Sequence, residues 1–214
     1  MDFLPPLTQL LLFVPAAILL AITPGPAVTY IIARSIDQGR KAGLVSVLAV
    51  ASGNVVHAIG ASLGLSAILA SSALAFDIVK YLGAAYLIYL GIRALVSKTQ
   101  VETMQSVESK KLSKIYRDGV VVGILNPKTA LFFLSFLPQF VDSTRAVSGQ
   151  MLFLGLLFVT LAALTDSLYA VAASTAGRWL RGNIRFRQAQ RYVTGTVYIG
   201  LGVTAALSGG RRSS

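Results

Sequence analysis

Two charged residues stand inside stretches of the chain that are otherwise uncharged. Lys128 interrupts residues 119–141, and Asp166 interrupts residues 146–177. A carboxylate in low dielectric favours its neutral form, so Asp166 could exchange a proton. It could equally hold a substrate ammonium group, or form a structural ion pair with Lys128. Two helix-breaking sequences accompany these charges: Thr23-Pro24-Gly25-Pro26, and Asn126-Pro127 directly before Lys128. Thr23 and Asn126 are good N-cap types, and a proline after a cap suits the first helical position. Each break should therefore start a new half-helix. The unpaired N–H groups and positive dipole end of each would suit an anion such as a carboxylate. Asn54 could hydrogen-bond a ligand or a neighbouring helix. His57 shares a face with Gly53, Gly60 and Gly64, a stripe that reads as a packing seam with the histidine as its hydrogen-bond partner. The neighbours of Asp166 at helical spacing are Ala162, Ala163, Tyr169, Ala170 and Ala173. Such small residues allow close helix approach, so Asp166 should face a helix bundle.

Other chemistries lack their residues. The chain has no cysteine and a single histidine. Disulfides and thiol relays are excluded, and a metal site is not expected. No Gly-rich phosphate loop or serine–base constellation appears, so neither a cofactor nor a catalytic residue is expected.

The elements that must position these residues are membrane helices. Of 214 residues, 55% are hydrophobic and 13% charged, more apolar surface than so short a chain can hide from water. Six largely uncharged runs are long enough to span a bilayer: residues 3–33, 42–76, 78–96, 119–141, 146–177 and 192–210. The third is the weakest, because its uncharged core is only 81–92, and Lys80 and Arg93 would have to snorkel. No alternating barrel period is present. The first basic residue is Arg34, so the first run lacks the basic start of a signal peptide and reads as a span of a chain mature from Met1.

Net charge is +11, and its distribution sets orientation rather than implying nucleic-acid binding. With the N-terminus outside, fourteen basic residues fall in the cytoplasmic loops, four lie outside, and Lys128 is in the membrane. That bias requires six crossings and external termini. The expected architecture is all-α, with one transmembrane domain over 1–214. It divides into a three-helix half (1–96), a cytoplasmic connector (97–118) and a second three-helix half (119–214). An odd number of helices per half makes the halves inverted, and matching breaks in their first helices point to a transporter site. Counted from the basic flanks, Thr23 to Pro26 lie roughly 12 to 16 Å deep, Lys128 roughly 16 Å, Asp166 roughly 18 Å and Asn54 roughly 20 Å. Half a hydrocarbon core is about 15 Å, so four helices bring these features close to one plane.

The set of motifs resembles a known family. Ile22-Thr23-Pro24-Gly25-Pro26, Gly39-Arg40-Lys41-Ala42-Gly43, the Gly-Asn-xx-His run from Gly53 to His57, and Tyr81-Leu82-Gly83-Ala84-Ala85-Tyr86-Leu87 resemble segments of the lysine exporter and homoserine/threonine resistance (LysE/RhtB) family. So do residues 123–128, ending in Asn-Pro-Lys, and Phe136-Leu137-Pro138-Gln139-Phe140. The likeness runs from the first span to the last. It implies a multi-pass exporter of amino acids or related small zwitterions in the bacterial inner membrane, driven by proton exchange. It also implies that Thr23 to Pro26, Asn126, Pro127, Lys128 and Asp166 line the pocket.

The resulting expectation is an antiporter with lipids around it, in which a homo-oligomer is allowed. The substrate-binding set is Thr23, Pro24, Gly25, Pro26, Asn54, His57, Asn126, Pro127, Lys128 and Asp166, with Asp166 carrying the proton. The alternatives are a membrane enzyme acting on a lipid-linked substrate, a non-transporting assembly subunit, and a passive channel.

Overall fold

The computed structural model describes residues 4–65 and 111–182, with side chains to 175, and isolated helical positions within 74–96 and 192–207. The third and sixth expected spans thus lie almost wholly outside the described residues. The described residues are helical, with no strand among them. Helix α1 spans Leu7–Ile22, and α2 spans Pro26–Gly60, continued by a π-helical turn at Ala61–Leu65. Helix α3 is Leu112–Ile124 and α4 is Pro127–Leu131. A π-helical turn, Phe132–Phe136, and a 3-10 turn, Leu137–Phe140, extend α4. Helix α5 spans Val147–Gly182.

Three helical stretches, Pro26–Gly64, Leu112–Phe140 and Val147–Thr175, are long and apolar enough to cross a membrane. Burial supports that environment. Helix α1 buries Phe13, Ala17, Leu20 and Ala21 on one face. Its opposite face exposes Leu7, Leu11, Leu12 and Leu19, and Leu164 and Leu168 do the same on α5. A helix in water would put polar residues there; one apolar all round suits lipid.

Helix α2 contains a reversal. Gly39 has φ of 79°, a left-handed conformation that glycine adopts without steric cost, and the chain folds back there into a second helical arm. Arg34 is part of the first arm and is buried. Its guanidinium donates to Gln38 Oε1 at 3.0 Å and lies over the Tyr30 ring. It is therefore a structural residue of the helix rather than a loop charge.

Helix α3 begins at Leu112, inside the polar stretch 97–118, seven residues before the uncharged run starts at Gly119. Tyr30 holds it by donating to the Ile115 carbonyl at 2.8 Å, and Tyr116 bonds Ser52 at 2.9 Å. The α2–α3 contact depends on glycine. A Cβ on Gly53 would stand 2.5 Å from the Val120 carbonyl oxygen and 2.8 Å from the Gly123 Cα. A Cβ on Gly119 would meet the Ala49 Cβ at 2.6 Å. A Cβ on Gly123 would stand 2.5 Å from the Val50 carbonyl oxygen, so at Gly53 and Gly123 the two backbones touch, while Gly119 makes room for the Ala49 side chain. The stripe from Gly53 to Gly64 is only partly such a contact: among the described residues, Cβ atoms on Gly60 or Gly64 would meet nothing within 4 Å, whereas Gly53 sits against the α3 backbone.

The larger core is aromatic. Phe132 stacks on Phe158 with ring centroids 4.4 Å apart, and Phe133 meets Phe158 edge-on at 5.7 Å. Beyond α4, the chain turns through Asp142. Its carboxylate accepts from the Thr144 hydroxyl and amide, which hold its pKa below the usual range. Gln150 closes the turn with two hydrogen bonds to the Asp142 backbone.

Candidate functional site

The site begins at two helix starts. Thr23 does not cap the first, as its residue type suggests. It ends α1: its amide bonds the Leu19 and Leu20 carbonyls, and its hydroxyl donates back to Leu19 O at 2.7 Å. Gly25 takes the cap position in an extended conformation, and Pro26, not Pro24, is the first helical residue. Because Thr23 stays bonded to the last turn of α1, the new helix begins two residues later than a Thr23-Pro24 cap would place it. No side chain caps this start. The helix itself cannot pair the amides of Ala27 and Val28. The second start is as the sequence predicts. Asn126 accepts from the Lys128 amide at 3.2 Å, its side-chain amide donates to Thr129 Oγ1 at 3.0 Å, and Pro127 follows.

The two starts meet. Gly25, Ala27 and Val28 from the first, and Asn126, Lys128 and Thr129 from the second, line one cavity with Asn54 and Asp166. Its apolar wall includes Phe158 and Ala162. Lys128, Asp166, Asn54 and Asn126 are all buried. Neither charge faces lipid. The cavity is about 20 Å³, room for one or two waters. That volume is too small for an amino acid, so a solute fits between the described walls only when the helices part.

Lys128 reaches across the breaks. Its ammonium donates to the Thr23 carbonyl, tying the start of α4 to the end of α1. Tyr169, one turn beyond Asp166, donates to the neighbouring Ile22 carbonyl at 2.6 Å. The two exposed carbonyls at the negative end of α1 are thus satisfied by donors from two other helices. No direct ion pair joins Lys128 to Asp166 among the described residues, although their charges attract across the cavity. Asn54 Oδ1 is buried without a hydrogen-bond partner. A buried amide left unpaired costs about 1 to 3 kcal/mol, so this oxygen is ready to receive a donor.

Not every residue of the sequence-derived set belongs here. The side chains of Pro24, Pro26 and Pro127 do not line the cavity; their role is to set where the helices break and begin. Thr23 contributes its carbonyl. His57 lines a separate cavity with Phe133. Tyr169 is the residue that sequence reasoning missed as a contact, since a side chain bonding a distant backbone carbonyl leaves no spacing signal.

The LysE type translocator family matches residues 18–209. An uncharacterized membrane protein of Bacillus subtilis is 31% identical over 94% of this chain and 99% of its own length. A homoserine/homoserine lactone efflux protein of Salmonella typhimurium is 27% identical over 77% of this chain and 80% of its own. A leucine efflux protein of the same species is 30% identical over 64% of this chain and 66% of its own. No solved structure matches. The matched span holds both breaks, Asn54, Lys128 and Asp166, and so the chain is a multi-pass membrane protein that belongs to the LysE type translocator family, a family of transporters and not enzymes.

Proposed function

We propose that this protein exports amino acids or related small zwitterions across the bacterial inner membrane in exchange for protons. The observation that carries this reading is the cavity where two half-helix starts, Lys128 and Asp166 converge. Such a cavity offers positive potential on one side and a carboxylate on the other, which complements a molecule bearing both signs. The names of the homoserine and leucine efflux relatives agree with that substrate class.

In this mechanism the substrate carboxylate takes the amides of Ala27 and Val28 and draws the Lys128 ammonium from the Thr23 carbonyl. The substrate ammonium turns to Asn54 Oδ1 and Asp166. An external proton neutralises Asp166, weakens its hold on the ammonium and releases the solute outside. The return step delivers the proton inward. The breaks act as hinges, because helix ends absorb the backbone rotation.

The repeated order of elements favours two inverted halves. Helix, break, proline-started half-helix, turn and long helix occur first over 7–60 and again over 112–182. With six spans, three per half, the termini lie outside.

The test is efflux from right-side-out vesicles preloaded with radiolabelled amino acids. An external pH one unit below the interior is worth about 1.4 kcal/mol per proton, which should steepen the final outward gradient about tenfold. A protonophore should remove the effect. Release that ignores the pH gradient would instead describe a passive channel.

A further inference from the structure

A second pocket, about 250 Å³, lies beside the first; it is lined by His57, Ala61 and Phe133 and, among the described residues, is open on the side of the exposed Val56, Gly60, Gly64 and Leu134. It is displaced by one helical turn on both helices it shares with the polar centre. On α2, His57 follows Asn54 by three residues; past the start of α4, Phe133 follows Thr129 by four. The wall between the two cavities is aromatic. Phe158 lines the polar cavity, Phe133 lines the second, and their rings meet edge-on at 5.7 Å. Phe133 also carries the His57 ring, with centroids 6.1 Å apart.

Two features give this cavity a chemistry. None of its described lining residues is Asp, Glu, Lys or Arg. His57 Nε2 is shut away from solvent and has no hydrogen-bond partner among the described residues. An orphaned buried ring nitrogen calls for a polar partner, which none of the described residues supplies. A lipid acyl chain would fill the volume and leave that nitrogen unpaired, whereas a side chain with one hydroxyl or carbonyl group would fill it and pair it.

We propose that this second cavity receives the side chain of the exported amino acid, admitted past Phe133 and Phe158, and that His57 selects uncharged side chains carrying one hydrogen-bonding group. The inference rests on the export reading above. Once the helices part, the polar cavity holds the charged end of the zwitterion. The larger cavity one turn away holds the rest, and a charged side chain is excluded because nothing there would compensate it.

The experiment measures initial release from preloaded right-side-out vesicles for L-alanine, L-norvaline, L-homoserine and L-lysine. Norvaline and homoserine are near-isosteres that differ at the side-chain terminus, methyl against hydroxyl. In the wild type, homoserine should leave about fivefold faster than norvaline, the size of effect that one net hydrogen bond gives. Lysine should be slowest. His57→Phe should bring the homoserine-to-norvaline ratio to about one while alanine changes less than about twofold. Gly60→Leu fills the cavity from a position where an added Cβ meets nothing within 4 Å. It should slow homoserine and norvaline about tenfold and spare alanine. Gly64→Leu, equally unobstructed, is the second filling variant, and alanine release reports correct folding in both. Equal slowing of all substrates, or no change in their ratios, would overturn the side-chain assignment and leave export intact. Failure of the wild type to release any of the four would overturn the export reading itself, and this one with it.

Discussion

Asp166→Asn should reduce proton-driven efflux by about 100-fold, equivalent to ~2.7 kcal/mol, while the protein inserts in normal amount. The amide keeps the size and most of the hydrogen-bonding capacity of the carboxylate but cannot carry a proton. Asp166 is buried on the cavity face of α5, and no other described carboxylate lines the cavity. Exchange of external for internal amino acid needs no net proton movement, so exchange should fall far less, within about tenfold. The split between the two assays separates proton coupling from binding. Full proton-driven efflux by the variant would remove Asp166 from the mechanism. Equal loss in both assays would make Asp166 a binding residue only.

Lys128→Met should be the second large effect, through a different route. Methionine retains a flexible apolar stem but loses the ammonium that satisfies the Thr23 carbonyl and balances Asp166 across the cavity. Removing one partner from a buried charge arrangement costs about 3 to 5 kcal/mol, because the other charge is left uncompensated. Folded yield in detergent should therefore fall, and amino-acid exchange should fall by at least about 100-fold. Combining Lys128→Met with Asp166→Asn removes both charges. That double variant should regain much of the folded yield of the wild type and none of its transport. If the double variant were less stable than Lys128→Met alone, the two charges would not balance each other. If Lys128→Met exported normally, the ammonium would have no part in holding the substrate.

The sequence makes the site's centre legible because proline and buried charge leave few options. Asn126-Pro127-Lys128 predicts a capped helix start, and the structure places one there. The small residues around Asp166 predict its inward orientation, and Ala162, Ala170 and Ala173 are buried beside it. The first break is harder to read. Thr23-Pro24 and Gly25-Pro26 both look like cap-and-proline pairs, and the choice turns on where α1 stops. Thr23 remains bonded to the last turn of α1, so only the second proline is free to begin a helix. His57 illustrates a different limit. Three residues on a helix return to a nearby face but advance about 4.5 Å along the axis, enough here to move the ring from the polar cavity to its neighbour. The donors from Lys128 and Tyr169 to the carbonyls ending α1 join residues 105 and 147 positions apart. Local periodicity carries no trace of such pairings; they follow from how α4 and α5 pack against the break.

The convergence of the two half-helix starts can be measured directly, because the chain has no native cysteine to interfere. Val28→Cys and Thr129→Cys place one thiol at each start, both lining the polar cavity. In native membranes, the paired variant should cross-link with a short thiol-bridging reagent, and a saturating amino-acid substrate should slow the reaction. Each single variant, labelled after denaturation, confirms that its thiol is present. A paired variant that carries both thiols yet never cross-links, in any substrate condition, would contradict the shared cavity from which binding, coupling and export are derived.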